Sequence, residues 1–220
     1  MKRVRGNPLH QSSPSRQRAK TAAPKPAFSG RRRAELAGMA TNWASLQSLG
    51  IPSNYGAVRQ LRRKNEATQL ISIGRNPDGD PVKLSPRAAT AWKKMHAAAA
   101  RDGIVLLPLS GFRSVARQTK IIRAKLAAGE DIDAILRLVA APGYSEHHTG
   151  RAIDIGAPGD RPLDEHFAKT TAFRWLKKHA GKFNFHLSYP RKNPHGIAYE
   201  PWHWRFSQIS KSEVRNSKFV

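Results

Sequence analysis

Candidate metal ligands lie in two segments that are far apart in the chain. His147 and Asp154 are separated by six residues, and His203 lies much later, three residues after Glu200. Two imidazoles and one carboxylate form a ligand set that suits catalytic zinc, which keeps its fourth position for water. If one ion binds all three side chains, the fold must bring the two segments together, and Glu200 is then placed to act as a base on that water.

The ligand pattern leaves rival histidines open. His148 is next to His147 and competes directly for the same role, whereas His195 lies in a Pro-His-Gly loop and is a weaker candidate. A spacing of six residues has no regular helix or strand geometry behind it, so the spacing by itself does not choose among them. The remaining histidines have no neighbouring ligand residues and receive no role: His10, His96, His166, His179 and His186.

Pro201 predicts an irregular backbone between Glu200 and His203. Residues three apart on a straight strand point to opposite faces, because successive side chains alternate. Proline cannot donate a ladder hydrogen bond and is confined to strand edges, strand ends or bulges. We therefore expect an irregularity at Pro201 that turns both Glu200 and His203 toward the same site.

The hydrophobic pattern changes repeatedly between helical and extended segments. Ser85 and Pro86 suit the N-cap and the first position of one helix, and Ser114 suits the N-cap of another. Because the segments do not follow a regular βαβ order, the pattern favours an α+β fold with a small, mostly antiparallel sheet flanked by helices. The predicted helices cover 35–48, 85–101, 115–128, 131–139 and 165–180, and the predicted strands cover 69–73, 104–109, 152–155, 183–188 and 197–206.

The composition restricts the chemistry and indicates a class of partner. The chain has no cysteine, so disulfides and thiolate metal sites are excluded, and any metal must be held by His, Asp or Glu. The formal net charge of +24 favours anionic partners such as acidic cell-wall polymers, lipid surfaces or nucleic acid. No specific nucleic-acid partner is predicted.

Both ends of the chain are predicted to lie outside the folded domain, which we place at 35–206. Residues 1–34 contain ten Lys or Arg and no acidic residue, which predicts a disordered basic arm, either a solubilising tail or a segment that binds polyanions. Residues 207–220 form a polar, basic tail. The sequence contains neither a transmembrane run nor the apolar segment of a signal peptide, so we expect no secretory signal in this chain.

Three sequence motifs occur in order along the chain. They are Ser110-Gly111-Phe112-Arg113-Ser114 with Gln118, then Ser145-x-His147-x-x-Gly150-x-Ala152-x-Asp154, and finally Glu200-x-Trp202-His203-x-Arg205. Together they resemble the motifs of the zinc D,D-carboxypeptidases of the vancomycin-resistance type, in peptidase family M15. The wider group includes D-alanyl-D-alanine dipeptidases, phage L-alanyl-D-glutamate endopeptidases and the hedgehog signalling domain. The resemblance covers roughly 70–206 and implies a hedgehog-like D,D-peptidase fold.

The resemblance also implies one zinc ion per chain and a role for each matched residue. The matched residues are the zinc ligands His147, Asp154 and His203, the catalytic base Glu200, the oxyanion-stabilising Arg113, and the substrate-binding Ser145 and Gln118. The proline that follows the base favours carboxypeptidases over strict dipeptidases. The expected reaction is therefore hydrolysis of the terminal D-alanine of peptidoglycan stem peptides.

Two other functions stay open at this point. One is a lytic endopeptidase of phage type that cleaves between L-alanine and D-glutamate. The other is a non-catalytic polyanion-binding protein whose zinc site is structural. A purely structural site does not need a free carboxylate beside the ion, so Glu200 argues against it. The substrate is expected in the cell envelope, where anionic polymers are also candidate partners of the basic arm; the sequence does not give the location of the protein.

Overall fold

The computed structural model of the chain describes residues 46–207, together with Met1. The described residues from 46 onward lie within one unit that spans 41–220. The predicted basic arm at 1–34 and nearly all of the predicted helix at 35–48 and tail at 207–220 lie outside the described residues. Among the described helices, none has the length and hydropathy needed to cross a membrane.

Five α-helices and six strands lie wholly within the described part of the chain. The helices are α1 (Tyr55–Val58), α2 (Pro86–Arg101), α3 (Val115–Ala127), α4 (Ile132–Leu138) and α5 (Thr171–His179). The strands are β1 (Ile71–Arg75), β2 (Pro81–Leu84), β3 (Leu107–Ser110), β4 (Ala152–Gly156), β5 (Phe185–Leu187) and β6 (His203–Phe206). Short 3-10 helices cover Glu146–Thr149, Glu165–Lys169 and Ala180–Phe183.

The strands form a four-stranded antiparallel sheet and a separate hairpin. The order in the sheet is β3-β4-β6-β5, whereas β1 pairs with β2 in the hairpin. Every residue of β4 is buried, so this strand lies in the middle of the core. The predicted α+β class, with a small antiparallel sheet among helices, is therefore confirmed.

The main core joins α2 and α5 to the sheet. Trp92 and Met95 of α2 and Leu176 of α5 belong to one buried cluster with Ile153 and Ile155 of β4. Burial of each such side chain contributes about 1.5–3 kcal/mol, so this packing fixes β4 between the helices. The buried residues of α2 are Ala88, Ala89, Trp92, Met95 and Ala99.

A second cluster supports the turn that precedes the candidate ligands. Ile122 of α3 and Ile135 of α4 are buried in this cluster with Tyr55 and Tyr144, whose ring centroids are 5.2 Å apart. The Tyr55 hydroxyl accepts a hydrogen bond from the Ala141 backbone N–H at 3.2 Å. The segment that leads into the Glu146–Thr149 helix is therefore anchored to α1, α3 and α4.

The strand predicted at 104–109 begins later in the chain than expected and is not fully buried. The strand β3 begins at Leu107, and its residues are only half-buried. In the preceding run Leu106 is 1% exposed, but Val105 is 54% exposed. The physical reason is that β3 lies at the edge of the sheet, where one partner strand does not cover a continuous apolar run.

The last predicted strand is shorter than expected, and the expected irregularity is a turn. Only β6 is extended, because Pro201 and Trp202 form a turn immediately before it. The His203 backbone N–H bonds to the Glu200 carbonyl at 3.1 Å, and the Trp204 indole N–H bonds to the Pro201 carbonyl at 3.0 Å. These bonds replace the ladder bonds that a longer strand would have made.

The predicted helix at 165–180 is divided in two. A 3-10 helix over Glu165–Lys169 is followed by α5, because the Thr170 hydroxyl accepts a hydrogen bond from Phe173 N–H and starts a new helix. Neither α1 nor β2 was predicted from the sequence, because four residues are too short for a reliable helical or alternating pattern. The remaining element boundaries lie within about two residues of their predicted positions, as is normal for helix and strand ends.

Gly150 occupies a position that a side chain would disturb. Its φ is +61°, and a Cβ built there would lie 2.9 Å from the Ser85 backbone nitrogen, which also donates a hydrogen bond to the Gly150 carbonyl. Gly159 is a matched control, since its φ is +74° and a Cβ there would meet nothing within 4 Å.

Gly150→Ala is expected to destabilise the fold more than Gly159→Ala. Each variant should lose roughly 1–2 kcal/mol from the left-handed backbone, and crowding should cost Gly150→Ala about 1–3 kcal/mol more. Denaturant unfolding in the presence of a chelator measures the difference without a contribution from bound metal. Equal free energies of unfolding for the two variants would contradict the close packing at Gly150.

Candidate metal centre

The two segments that carry candidate ligands meet on the pair β4–β6. Asp154 lies opposite His203 in the register of these antiparallel strands. His147 comes from the 3-10 helix Glu146–Thr149, which ends at Gly150 just before β4. The fold therefore brings together the three ligands expected from the sequence.

The distances among the three side chains fit a small metal ion. His147 Nε2 lies 3.2 Å from Asp154 Oδ2, and His203 Nδ1 lies 3.0 Å from Asp154 Oδ1. These two distances go to different oxygens of the carboxylate, and one ligand atom from each of the three residues lies within 4.8 Å of the others. A tetrahedral zinc ion with bonds of about 2.0–2.1 Å has ligand atoms roughly 3.3–3.4 Å apart, so small side-chain shifts would bring the three atoms onto one ion. All three residues are buried, and within residues 46–207 they are the one cluster of His, Cys, Asp or Glu that is close enough to share a metal ion.

The second ring nitrogen of each ligand histidine has its own partner. His147 Nδ1 is 2.6 Å from the Gly111 carbonyl oxygen, which can only accept, so Nδ1 donates and Nε2 is left with its lone pair toward Asp154. His203 Nε2 is 3.1 Å from Glu146 Oε2, which leaves Nδ1 for the metal. Such outer partners fix the tautomer and the ring orientation that a metal needs.

His148 is excluded as a ligand by its hydrogen bonds. Its Nδ1 donates to the Arg113 carbonyl oxygen at 2.6 Å, and its Nε2 accepts from the Gly143 backbone N–H at 3.1 Å. The lone pair is therefore occupied, and burial lowers the pKa of His148, which keeps the ring neutral as this pattern requires. The other rival, His195, bonds to the Arg59 carbonyl and lies outside the cluster of possible ligands.

Glu200 lies beside the ligands, as the sequence predicts, although it belongs to a turn and not to a strand. Its Oε2 is 3.8 Å from His203 Nδ1, and its side chain is 12% exposed. Burial raises the pKa of Glu200 to about 7, against the opposite influence of the His203 charge. A carboxyl group with such a pKa takes up and releases a proton near neutral pH, which suits a general base that later acts as an acid.

Arg113 faces the same site from the junction between β3 and α3. Its Nη2 lies 3.9 Å from Asp154 Oδ2 and 3.3 Å from the Ser110 hydroxyl. The predicted cap of α3 is confirmed, because the Ser114 side chain accepts a hydrogen bond from Arg117 N–H. The guanidinium is thus held next to the metal ligands without a close one-to-one ion pair.

Gln118 holds Arg113 in place. It accepts a hydrogen bond from Arg113 Nη1 at 3.1 Å through Oε1 and donates to the Ala140 carbonyl at 2.6 Å through Nε2. The side chain is 1% exposed, and Gln118 and Ile122 are the two buried residues of α3. The predicted contact of Gln118 with substrate stays a prediction.

A cavity of about 550 Å³ opens over the ligands. Ser145 lies at its wall and is 4% exposed, and its side chain makes no capping hydrogen bond to the 3-10 helix that follows. The proposed contact of Ser145 with substrate also stays a prediction. The wall further includes Arg113, Tyr189, Ile197, Glu200 and Trp202.

Glu146, which lies between Ser145 and His147, was not predicted from the sequence. Its carboxylate contacts His203, Ser188 and Arg205. Burial acts to raise its pKa, but the hydrogen bond and charge of His203, together with Arg205, lower the pKa of Glu146 to about 2, so the group is ionised. The available signal was an acidic residue directly beside a candidate ligand, which is too common to stand out.

Together these side chains are the set expected of one class of protein, the metal-dependent hydrolases. Two imidazoles and a carboxylate form the candidate ligand set, a largely buried carboxyl group lies next to it, and a guanidinium faces the same cavity. Such a set would hold a metal ion beside a candidate general base and a group that can stabilise negative charge.

The family follows from the sequence of the same region. Residues 81–209 match the VanY family of D-alanyl-D-alanine carboxypeptidases. Because this match covers more than half of the chain, the chain belongs to that family. The resemblance drawn from the three motifs is confirmed.

Individual relatives are similar over the same part of the chain. The putative carboxypeptidase YodJ of Bacillus subtilis is 39% identical over 127 residues, which are 56% of this chain and 46% of YodJ, so the match spans about half of that relative. The solved LdcB LD-carboxypeptidase is 29% identical, with a TM-score of 0.62 over 71% of this chain and 76% of that one. The vancomycin-resistance D,D-pentapeptidase VanY of a VanB-type cassette, solved in complex with Zn(II), is 26% identical, with a TM-score of 0.54 over 70% of this chain and 89% of that one.

Removal of one ligand is expected to abolish tight zinc binding. His203→Ala should weaken zinc binding by more than about 100-fold, which exceeds the effect of losing an outer contact. His96→Ala, at an exposed position on α2, is the control and should bind zinc as the unaltered protein does. Competition with a chromophoric chelator measures both affinities. A His203→Ala variant that keeps one tightly bound zinc per chain would contradict the ligand assignment.

Proposed function

We propose that the protein is a zinc-dependent carboxypeptidase that removes the terminal D-alanine from peptidoglycan stem peptides. The observation that carries the proposal is the position of Glu200, a largely buried carboxyl group 3.8 Å from a ligand nitrogen of a complete His-Asp-His set. Membership of the VanY family supports the D-alanyl-D-alanine specificity. The substrate lies in the cell envelope, and we propose that the protein acts there.

His147, Asp154 and His203 would hold the zinc ion through Nε2, a carboxylate oxygen and Nδ1. When bound, zinc supplies a Lewis acid that polarises the scissile carbonyl and makes water more acidic. The ligands contribute orientation, because both imidazoles are held by acceptors on their far side, Gly111 and Glu146.

Glu200 moves the protons of the reaction. As water attacks the scissile carbonyl, the carboxylate accepts a proton from it, and it then delivers that proton to the leaving amine of D-alanine. Before an ion binds, burial raises the pKa of Glu200 to about 7. A bound cation would lower this pKa and favour the ionised form that starts the reaction.

Arg113 stabilises the charge that develops on the carbonyl oxygen. Its guanidinium is fixed in advance by Gln118 and Ser110, so little reorganisation is needed when the negative charge forms. A donor fixed in this way typically contributes about 2.7–4 kcal/mol to the transition state. Ser145 lines the same cavity and is our candidate for binding the terminal carboxylate or the peptide backbone.

The two alternative functions are separated from this proposal by their products. An endopeptidase would cleave between L-alanine and D-glutamate and would leave the terminal D-alanine attached. A structural zinc site would give no product at all. Mass spectrometry of stem pentapeptides after incubation, with and without a chelator, distinguishes all three outcomes.

Glu200→Gln is expected to abolish hydrolysis and leave zinc binding intact. The amide keeps the size of the side chain but cannot accept the proton from water, so release of D-alanine should fall by at least about 100-fold. Arg117→Gln on the exposed face of α3 serves as a control with normal activity. The measurements are D-alanine release from a synthetic pentapeptide and zinc content. Activity near that of the unaltered protein in the Gln variant would refute the mechanism.

We further propose that the basic arm at 1–34 binds anionic polymers of the cell envelope. Its ten positive charges and lack of acidic residues support this proposal. Deletion of 1–34 should weaken binding to anionic wall material at low salt, and the difference should disappear as salt rises. A full-length variant with Gln at the ten Lys and Arg positions separates charge from length. Equal binding of all three proteins across the salt range would end the proposal.

A further inference from the structure

Glu146 is the centre of a buried polar cluster behind the metal ligands. Its side chain is 11% exposed, and its Oε2 accepts from the Ser188 hydroxyl at 2.6 Å and lies 3.1 Å from His203 Nε2. Its other oxygen, Oε1, forms an ion pair with Arg205 Nε at 3.0 Å. Both oxygens of the carboxylate are therefore engaged by donors.

The cluster connects three parts of the chain that carry the site. Glu146 opens the 3-10 helix that holds His147, whereas His203 and Arg205 lie two residues apart on β6. Ser188 directly follows β5, the neighbour of β6 in the sheet. Residues two apart on a strand share a face, so His203 and Arg205 can both reach one carboxylate.

The two ligand histidines are oriented by partners of different charge. His147 donates to a neutral backbone carbonyl, that of Gly111, whereas His203 Nε2 lies 3.1 Å from the Glu146 carboxylate, which also pairs with the cationic Arg205. An anionic acceptor fixes the ring as a carbonyl does and also makes the imidazole a stronger donor to a metal. Of the two ligand histidines, His203 is therefore the one whose outer partner is a side chain, and its strength as a metal ligand depends on that side chain.

We propose that Glu146 is a positioning residue of the metal centre, which holds the His203 ring with Nδ1 toward the ion and thereby sets the zinc affinity of the protein. The proposal rests on the proposed function in one respect, that the ion is zinc. Glu146 touches neither the ion nor the substrate, and its effect passes through His203.

Glu146→Gln separates a positioning role from a merely structural one. The amide has nearly the same size, but it loses the charge and can present an N–H to His203, which would favour the wrong tautomer. A structural role predicts a lower free energy of unfolding with unchanged zinc affinity. A positioning role predicts a loss of zinc affinity of about 10–100-fold in a protein that still folds.

The experiment compares zinc affinity by chelator competition in the unaltered protein, Glu146→Gln and a matched control. The control is Asp102→Asn, which alters a carboxylate that accepts the Trp175 indole N–H at 2.7 Å and does not line the cavity. Unchanged affinity in Asp102→Asn with a 10–100-fold loss in Glu146→Gln supports the proposal. The visible spectrum of the cobalt-substituted proteins should also change in Glu146→Gln alone, because His203 is then bound in a different orientation.

Glu146→Asp provides the second variant, in case Glu146→Gln does not fold. It keeps the charge opposite Arg205 but draws the carboxylate back from His203 by about one methylene, roughly 1.5 Å. Zinc affinity equal to that of the unaltered protein, in whichever of the two variants folds, would overturn the proposal. If the unaltered protein binds no zinc, both the proposed function and this inference fail. If the unaltered protein binds zinc and the Glu146 variants bind it equally well, only this inference fails.

Discussion

The pairing of β4 with β6 is the constraint on which the whole site depends. In this register Asp154 lies opposite His203, and their side chains approach to 3.0 Å. Because side chains alternate along a strand, a slip of one residue would turn one ligand to the other face of the sheet. Such a slip would also move Ile153 and Ile155 out of the cluster that they share with α2 and α5. The packing of Ile153 and Ile155 in the apolar core therefore also fixes the position of Asp154 on the opposite face of the same strand.

Burial of so many ionisable groups is tolerated because each one has partners. An isolated buried charge would cost several kcal/mol or more, and paired, hydrogen-bonded charges avoid most of that cost. Burial acts to raise the pKa of Asp154, but His147 and His203 hold it well below its usual range, so this carboxylate is ionised. Glu146 is satisfied in the same way by its three donors. The ligands are thus held in position by contacts of their own, which is the preorganisation that a metal site requires.

The sequence predicts the candidate ligands and the proposed base because their residue types carry the chemistry, and the resemblance of the motifs favours His147 over His148. The structure adds the physical reason, since both ring nitrogens of His148 are already bonded to backbone groups. Glu146 is beyond such reasoning, because its partners come from segments that meet only in the folded chain. The burial of Gln118 could not be predicted for the same reason. Helical periodicity predicts apolar residues on the buried face of a helix, whereas Gln118 is buried where its side chain bonds to Arg113.

The turn at Pro201 explains how Glu200 and His203, which are three residues apart, can face the same site. On a regular strand Glu200 would face away from His203, and its backbone would be tied into the ladder. The turn releases Glu200 from the sheet, while His203 remains paired with Asp154. Two of the candidate ligands, Asp154 and His203, therefore belong to paired strands, whereas the proposed base belongs to the irregular backbone beside them. The Glu200 backbone is fixed in its turn, because its N–H donates to the Tyr189 carbonyl at 3.1 Å and its carbonyl accepts from the His203 N–H at 3.1 Å. The carboxyl group that we propose as the base is therefore held beside the ligands, where proton transfer between water and a leaving amine requires it.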